Sequence, residues 1–195
     1  ADLKVRGQPV AMVPHQEGLF VAGSEDDDAL AQMAGLALDL GQQPLGLSAQ
    51  TFILTVGGWQ PWQPAPERPC APSLTAALLP EQARAYDRQK ALIEAQAEVD
   101  GVEQEVAPFV VLRDDERQLV TATVWVEGTE PLLARASRIA FATREGAEGD
   151  QLKAIALPWD EAAALPGVCL TRTDATPERW RASGFPPFAA LDASR

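Results

Sequence analysis

A chain of 195 residues, 46% of them apolar and 23% charged, has material for one ample hydrophobic core or two small ones and needs no staple to fold. Its net charge of −12 argues against general binding to nucleic acid or to an anionic membrane, since both call for positive charge. No apolar run approaches the roughly 18 residues that cross a bilayer, and no signal peptide remains at the start, so a soluble protein is expected; the cytoplasm is the expected location, with Ala1 in first place equally compatible with a trimmed chain, a released domain or a secreted protein after cleavage.

Val10 to Val13 is a short strand-forming run that stops at Pro14, which cannot donate to a sheet ladder. A turn through His15 to Gly18 leads to a second apolar run, Leu19 to Ala22, bounded by Gly18 and Gly23; the two runs make a hairpin. Ser24 offers a hydroxyl cap, and Glu25, Asp26, Asp27 and Asp28 place carboxylates where a helix start favours negative charge. Leu30, Met33, Ala34, Ala37 and Leu40 recur at helical spacing, and Gly41 is expected to end the helix in the left-handed conformation. Thr51 to Val56 reads as a third strand, closed by Gly57-Gly58 before Trp59. A small sheet covered by one helix is expected.

The stretch PVAMVPHQEGLFVAGSEDDDALAQMAGLA, followed by PLGLSAQTFILTVGGW, resembles the closing part of the YtpQ-like family of uncharacterised bacterial proteins. The features that carry the resemblance fall on Val13-Pro14, Leu19 to Ala22, Gly23-Ser24 and Asp26 to Asp28. The turn expected in that family is more basic than His15-Gln16-Glu17. The resemblance covers residues 7–59, about the first third of the chain. It implies a fold fragment and no reaction. If the opening unit closes a longer domain of that family, the chain is the carboxyl-terminal part of something larger.

Residues 60–73, QPWQPAPERPCAPS, hold five prolines, which remove ladder donors and favour extended backbone; this is the expected linker. Trp59 and Trp62 flank its start, either as rings that pin the segment to a neighbouring surface or as part of a partner-binding strip. Pro80 suits a first helical turn, and Glu81 to Val99 contains neither Gly nor Pro, so a helix is expected there. Tyr86, Ile93 and Ala97 lie along one side with Ala85, Leu92 and Val99 beside them, a stripe that reads as core packing or as a dimerising face.

Val106 to Leu112 and Gln118 to Val126, joined by the polar run Arg113 to Arg117, form a hairpin pattern. In the second strand Val120, Ala122, Val124 and Val126 are expected to face the core, leaving Leu119, Thr121, Thr123 and Trp125 on a mixed outer face. Pro131 to Ala136 reads as a short helix. Ser137 to Thr143 and Leu152 to Leu157 read as antiparallel strands across the loop Glu145 to Asp150. Trp159 to Leu165 is a helical turn, Val168 to Thr171 a last strand, and Thr176 to Trp180 a further turn; Phe185, Phe188 and Leu191 fasten the tail.

His15 is the single histidine, which excludes a multi-histidine zinc centre, and neither Cys70 nor Cys169 sits in a recognisable nucleophile motif. Both cysteines read as reduced, small hydrophobes. The acidic run at residues 25–28 lacks the alternating spacing of a calcium loop, and Gly57-Gly58 lacks the spacing of a phosphate loop. Asp114, Asp115 and Glu116 sit at a hairpin tip. No catalytic, cofactor or metal residue is assigned. The absence of Asn, the three lysines and the wealth of Ala, Leu, Arg and Pro suggest a GC-rich bacterial source.

The expected fold is α+β in two small lobes, mostly antiparallel sheets each packed with one or two helices: residues 1–59, a Pro-rich linker at 60–73, and 74–195. The expected function is a non-enzymatic binding or protein-interaction module, with Trp59, Trp62 and Trp125 as the candidate partner surface and a protein or a second copy as partner. The alternative is a small hydrolase or transferase whose cysteine or carboxylate site is assembled only by the fold.

Overall fold

The computed structural model describes residues 4–114, 119–145, 151–188 and 191. Asp115, Glu116 and Arg117 of the first acidic loop, and most of the loop expected at Glu145 to Asp150, lie outside the described residues. The class is α+β, with sheets of four, three and four strands and three helices among the described residues. The chain divides into two compact units, Ala1–Gln82 and Ala83–Arg195. The expected linker, residues 60–73, therefore falls inside the first unit.

In the first unit β1 (Pro9–His15) pairs antiparallel with β2 (Gly18–Gly23), as the hairpin pattern implied. On its other side β1 pairs with β3 (Gly46–Thr55), and β3 turns back into β4 (Gly58–Pro61), giving the order β2-β1-β3-β4. The strand β4 was not expected: Val56-Gly57 makes a two-residue turn instead of an end, helped by Gly58 at φ +97 and by the Thr55 hydroxyl, which donates to the Gly58 carbonyl at 3.0 Å. Helix α1 (Asp27–Gly41) buries Leu30, Met33, Ala34 and Ala37 against Val10, Met12, Phe20, Ala22 and Ile53.

Both ends of α1 differ from expectation. Its cap is Asp26, whose carboxylate accepts from the Ala29 N–H at 3.2 Å, while the Ser24 hydroxyl accepts from the Gln8 N–H at 2.9 Å and so ties down the chain entering β1. Gly41 stays within the helix, which ends on Gln42 in a right-handed conformation. Gly23 meets a separate demand: a Cβ there would sit 2.1 Å from the Arg6 carbonyl oxygen, so only glycine lets that segment pass.

Helix α2 (Ala71–Asp100) starts well before Pro80, which lies inside it. An interior proline removes one helical hydrogen bond and costs about 3 kcal/mol. Burial of Leu74, Ala77 and Leu79 in the turns before it offsets that cost, with Leu74 and Ala77 joining the first core. The proline-rich segment is fastened too. The Trp62 N–H donates to the Thr51 carbonyl at 2.9 Å, and Arg68 reaches both Asp27 and the Ser24 carbonyl.

The second unit holds β5 (Phe109–Arg113), β6 (Leu119–Val126), β8 (Arg138–Glu145) and β9 (Gln151–Pro158) in the order β5-β6-β8-β9, antiparallel except for the parallel pair β6–β8. A second sheet, β10-β11-β7, contains β7 (Leu132–Ala134), β10 (Cys169–Arg172) and β11 (Arg179–Ser183). Two helical expectations fail here. Residues 132–134 are buried on every side as a strand, and Arg179–Ser183 pairs with both neighbours; short apolar runs carry no period that separates helix from strand. The short α3 (Trp159–Ala163) follows β9 as expected.

The expected outer face of β6 is not open, although Ala122 on the expected core face is buried and Leu119 is exposed. Thr123 and Trp125 are fully buried, because the Trp125 indole N–H donates to the Thr129 carbonyl at 2.9 Å and the Thr123 hydroxyl accepts from the Ala134 N–H at 3.2 Å. With their polar atoms satisfied, these side chains cost little to bury. Trp125 packs in a triangle with Phe141 and Phe185, each pair of ring centroids 5.6 Å apart, and Leu191 closes the same core.

Candidate functional site

Residues paired across strands point to the same side of a sheet, so the register of the first sheet sorts its side chains into two sets. Val10, Met12, Phe20, Ala22, Thr51 and Ile53 share the side that α1 covers. The other side carries the cross-strand row Val21–Ala11–Phe52–Pro61 and, beside it, the pair Leu54–Trp59. Leu19 extends this side along β2. Its large side chains remain open to solvent: Leu19 is 66% exposed, Trp59 51%, Leu54 38% and Phe52 37%. None of the residues in these rows is charged.

Of the three tryptophans read as a partner surface, the structure brings only Trp59 to this face. Trp62 is half-buried against the first core. Trp125 is fully buried and has no access to a partner. The reason is that the side of β6 carrying Thr123 and Trp125 faces a core. Leu19, Phe52 and Leu54 were missed because strand register, which assigns them to one face, depends on pairing between distant segments.

The polar candidates are accounted for structurally. The His15 Nδ1 accepts from the Glu17 N–H at 3.2 Å and its Nε2 donates to the Pro44 carbonyl at 2.9 Å, so both ring nitrogens are engaged in pinning turns. Asp26 caps α1, and Asp27 pairs with Arg68 at 2.9 Å. Cys70 is fully buried, and burial, followed by its hydrogen bond to Asp27 and the charge of that carboxylate, pushes the thiol up to about 11. The same hydrogen bond, joined by the Arg68 charge and opposed by desolvation, holds Asp27 below the usual carboxylate value. A thiol with a raised pKa and no free base beside it is a poor nucleophile. Cys169 is exposed on β10, and both cysteines are free.

A groove of about 460 Å³ in the first unit is lined by Gln50, Gln63, Thr75 and Gln82 together with prolines and aliphatic groups, with no titratable side chain. No group of three or more His, Cys, Asp or Glu side chains fit to hold a metal ion occurs among the described residues. No helix of the described residues is long and apolar enough to cross a membrane.

One charged residue was invisible to sequence reasoning. Arg179, on β11, is fully buried. Its Nε donates to the Gln89 side-chain oxygen at 2.8 Å, one terminal nitrogen donates to the Ala107 and Leu132 carbonyls, and the other to the Tyr86 carbonyl. The guanidinium also lies 5.1 Å from the Tyr86 ring centroid. Burial lowers its pKa, with Tyr86 the largest influence acting in the opposite direction, followed by Glu94 and Asp87. Its donors are spent on three backbone carbonyls and the Gln89 side chain, and so tie β11 to α2, to the segment at Ala107 and to β7, which makes it a clamp for the second unit.

With this geometry in hand, comparison with family models, with curated proteins and with solved structures returns no match.

Proposed function

We propose that the protein is a non-enzymatic interaction module that binds a protein partner through the open face of its first sheet. The observation that carries this reading is the uncharged row around Phe52, Leu54 and Trp59 left in solvent on a sheet whose other side packs against α1. Aromatic residues at the centre of such a face are the usual anchors of protein–protein contacts. The raised pKa of the Cys70 thiol and the groove free of titratable groups weigh against the hydrolase or transferase reading. The proposal takes the protein as bacterial and cytoplasmic, on its composition and its two free cysteines. The resemblance to the YtpQ-like family stands beside it as a proposal of kinship in fold, with no activity attached.

The test is co-purification of the wild-type chain and the double variant F52D/W59D, read by intact mass. A single partner chain held in fixed ratio by the wild type and lost by a variant that melts at the same temperature supports the reading. Equal retention by both overturns it.

A further inference from the structure

The four-stranded sheet of the second unit ends at β9 on a free edge, a surface independent of the open sheet face of the first unit. In the β8–β9 ladder Arg138 stands opposite Pro158, and just beyond them the Trp159 N–H donates to the Ser137 carbonyl at 2.9 Å. Antiparallel pairs alternate between those that exchange both backbone bonds and those that exchange none. Ile139–Leu157, Phe141–Ile155 and Thr143–Lys153 are therefore the bonded pairs. The far side of β8 agrees, since the Ala142 carbonyl accepts from the Glu127 N–H at 2.8 Å and so points to β6. The N–H and C=O groups of Leu152, Ala154 and Ala156 consequently point away from β8. Among the described residues no hydrogen bond reaches those of Ala154 or Ala156. Pro158 stands in the same phase, its missing N–H on the free side, where an edge tolerates proline.

This edge differs from the others among the described residues. The edge strand β2 has 6 residues, β5 has 5, β4 and β10 have 4 and β7 has 3, whereas β9 has 8 and pairs with β8 without a register shift. Edges are usually blunted by shortness, a bulge, proline or lysine. Pro158 stops β9 at one end only. Lys153, the single charge between Gln151 and Leu157, lies on the core side, its ammonium 5.3 Å from the Phe188 ring centroid. Ala154 and Ala156 are exposed and put no bulk beside the free backbone groups.

We propose that β9 pairs with β9 of a second copy, antiparallel about a two-fold axis at Ala154, joining two four-stranded sheets into one. The spacing of the free groups selects a second copy as the occupant. They lie at positions 152, 154 and 156, so the register that sets Ala154 against Ala154 and Leu152 against Ala156 gives every free N–H a carbonyl and leaves Pro158 outside. The same register keeps the faces in phase, with Ile155 and Lys153 on the core side and the alanines on the other, and each Lys153 opposite an Ile155 instead of its own twin. The contact is one strand wide, below the roughly 800 Å² per partner of a standard interface, so the dimer is concentration-dependent.

Sedimentation equilibrium up to about 1 mM, a range that populates even millimolar complexes, is expected to show the mass rising from monomer towards dimer, with amide exchange at Ala154 and Ala156 slowing in step. A154P deletes the N–H at the axis, which β8 does not use, and is expected to stay monomeric while melting near the wild-type temperature. A154E and A154K each set like charges opposite one another and are expected to weaken association about fivefold; an equimolar mixture of the two recovers it as a heterodimer. A91E, the same charge at an exposed position of α2, is expected to associate as the wild type does. A wild type monomeric throughout, no recovery on mixing, or exchange at Ala154 and Ala156 that ignores concentration would each overturn the proposal, as would a folded A154P that still dimerises or an equal loss in A91E.

Discussion

The two units treat their aromatic and charged residues in opposite ways. In the second, Trp125, Phe141 and Phe185 face one another in the interior and an arginine without a carboxylate partner holds three segments through their carbonyls and the Gln89 side chain. In the first, the core consists mainly of aliphatic side chains and methionines between one helix and one sheet face, while Phe52 and Trp59 stand in solvent on the other. Satisfied backbone partners let the second unit hide its large rings and its charge. The sheet of the first unit is covered on one side, and the cross-strand rows on its other side are uncharged. The exposed aromatic surface is therefore concentrated on a sheet whose outward set is assigned by register alone.

The sharpest way to break this contrast is at Arg179. Arg179→Met would remove the guanidinium donors to the carbonyls of Ala107, Leu132 and Tyr86 and to the Gln89 side chain, Leu132 keeping the Ala107 N–H, and is expected to cost about 3 to 5 kcal/mol in a denaturant titration. Arg179→Lys is expected to recover little, since an ammonium cannot reproduce the planar fork. The tryptophans come next: Trp125→Ala should cost about 3 to 5 kcal/mol, whereas Trp59→Ala should stay within about 0.5 kcal/mol.

Smaller effects separate the two thiols. The folded pKa of Cys70, about 11, lies above the ordinary value of 9.0, so its contribution to stability is complete below pH 9 and is lost as the pH climbs towards 11. A wild-type chain is expected to lose more stability over that interval than Cys70→Ala does, and iodoacetamide at neutral pH is expected to label Cys169 and spare Cys70 until the chain unfolds. Asp26→Ala removes the acceptor for the Ala29 N–H and should lower stability by about 1 kcal/mol, with Ser24→Ala affecting the start of β1 instead of the helix.

What could be read from the sequence was local. The β1–β2 hairpin, the apolar stripe of α1 and the β8–β9 pair follow from periodicity and turn residues within a few positions of each other. The early start of α2 was hidden because Pro80 signals a beginning, and only the core that receives Leu74 and Ala77 shows otherwise. β7 and β11 read as helical turns because three to five residues carry no period, and the pairing of the two with each other joins segments more than forty positions apart. Arg179 was illegible for the same reason: its acceptors at 86, 89, 107 and 132 converge only in the fold. On the open face, Trp59 was chosen for its residue type, and its neighbours Leu54 and Phe52 emerged only with the strand pairing.

A photo-crosslinking residue placed at position 59, and separately at the exposed position 32 on the outer side of α1, asks most directly whether the open face is where a partner sits. Irradiation in the native cell is expected to give one dominant protein adduct from position 59 that position 32 does not give, and F52D to remove it. No adduct from position 59, or the same adducts from both positions, would contradict the assignment of this face.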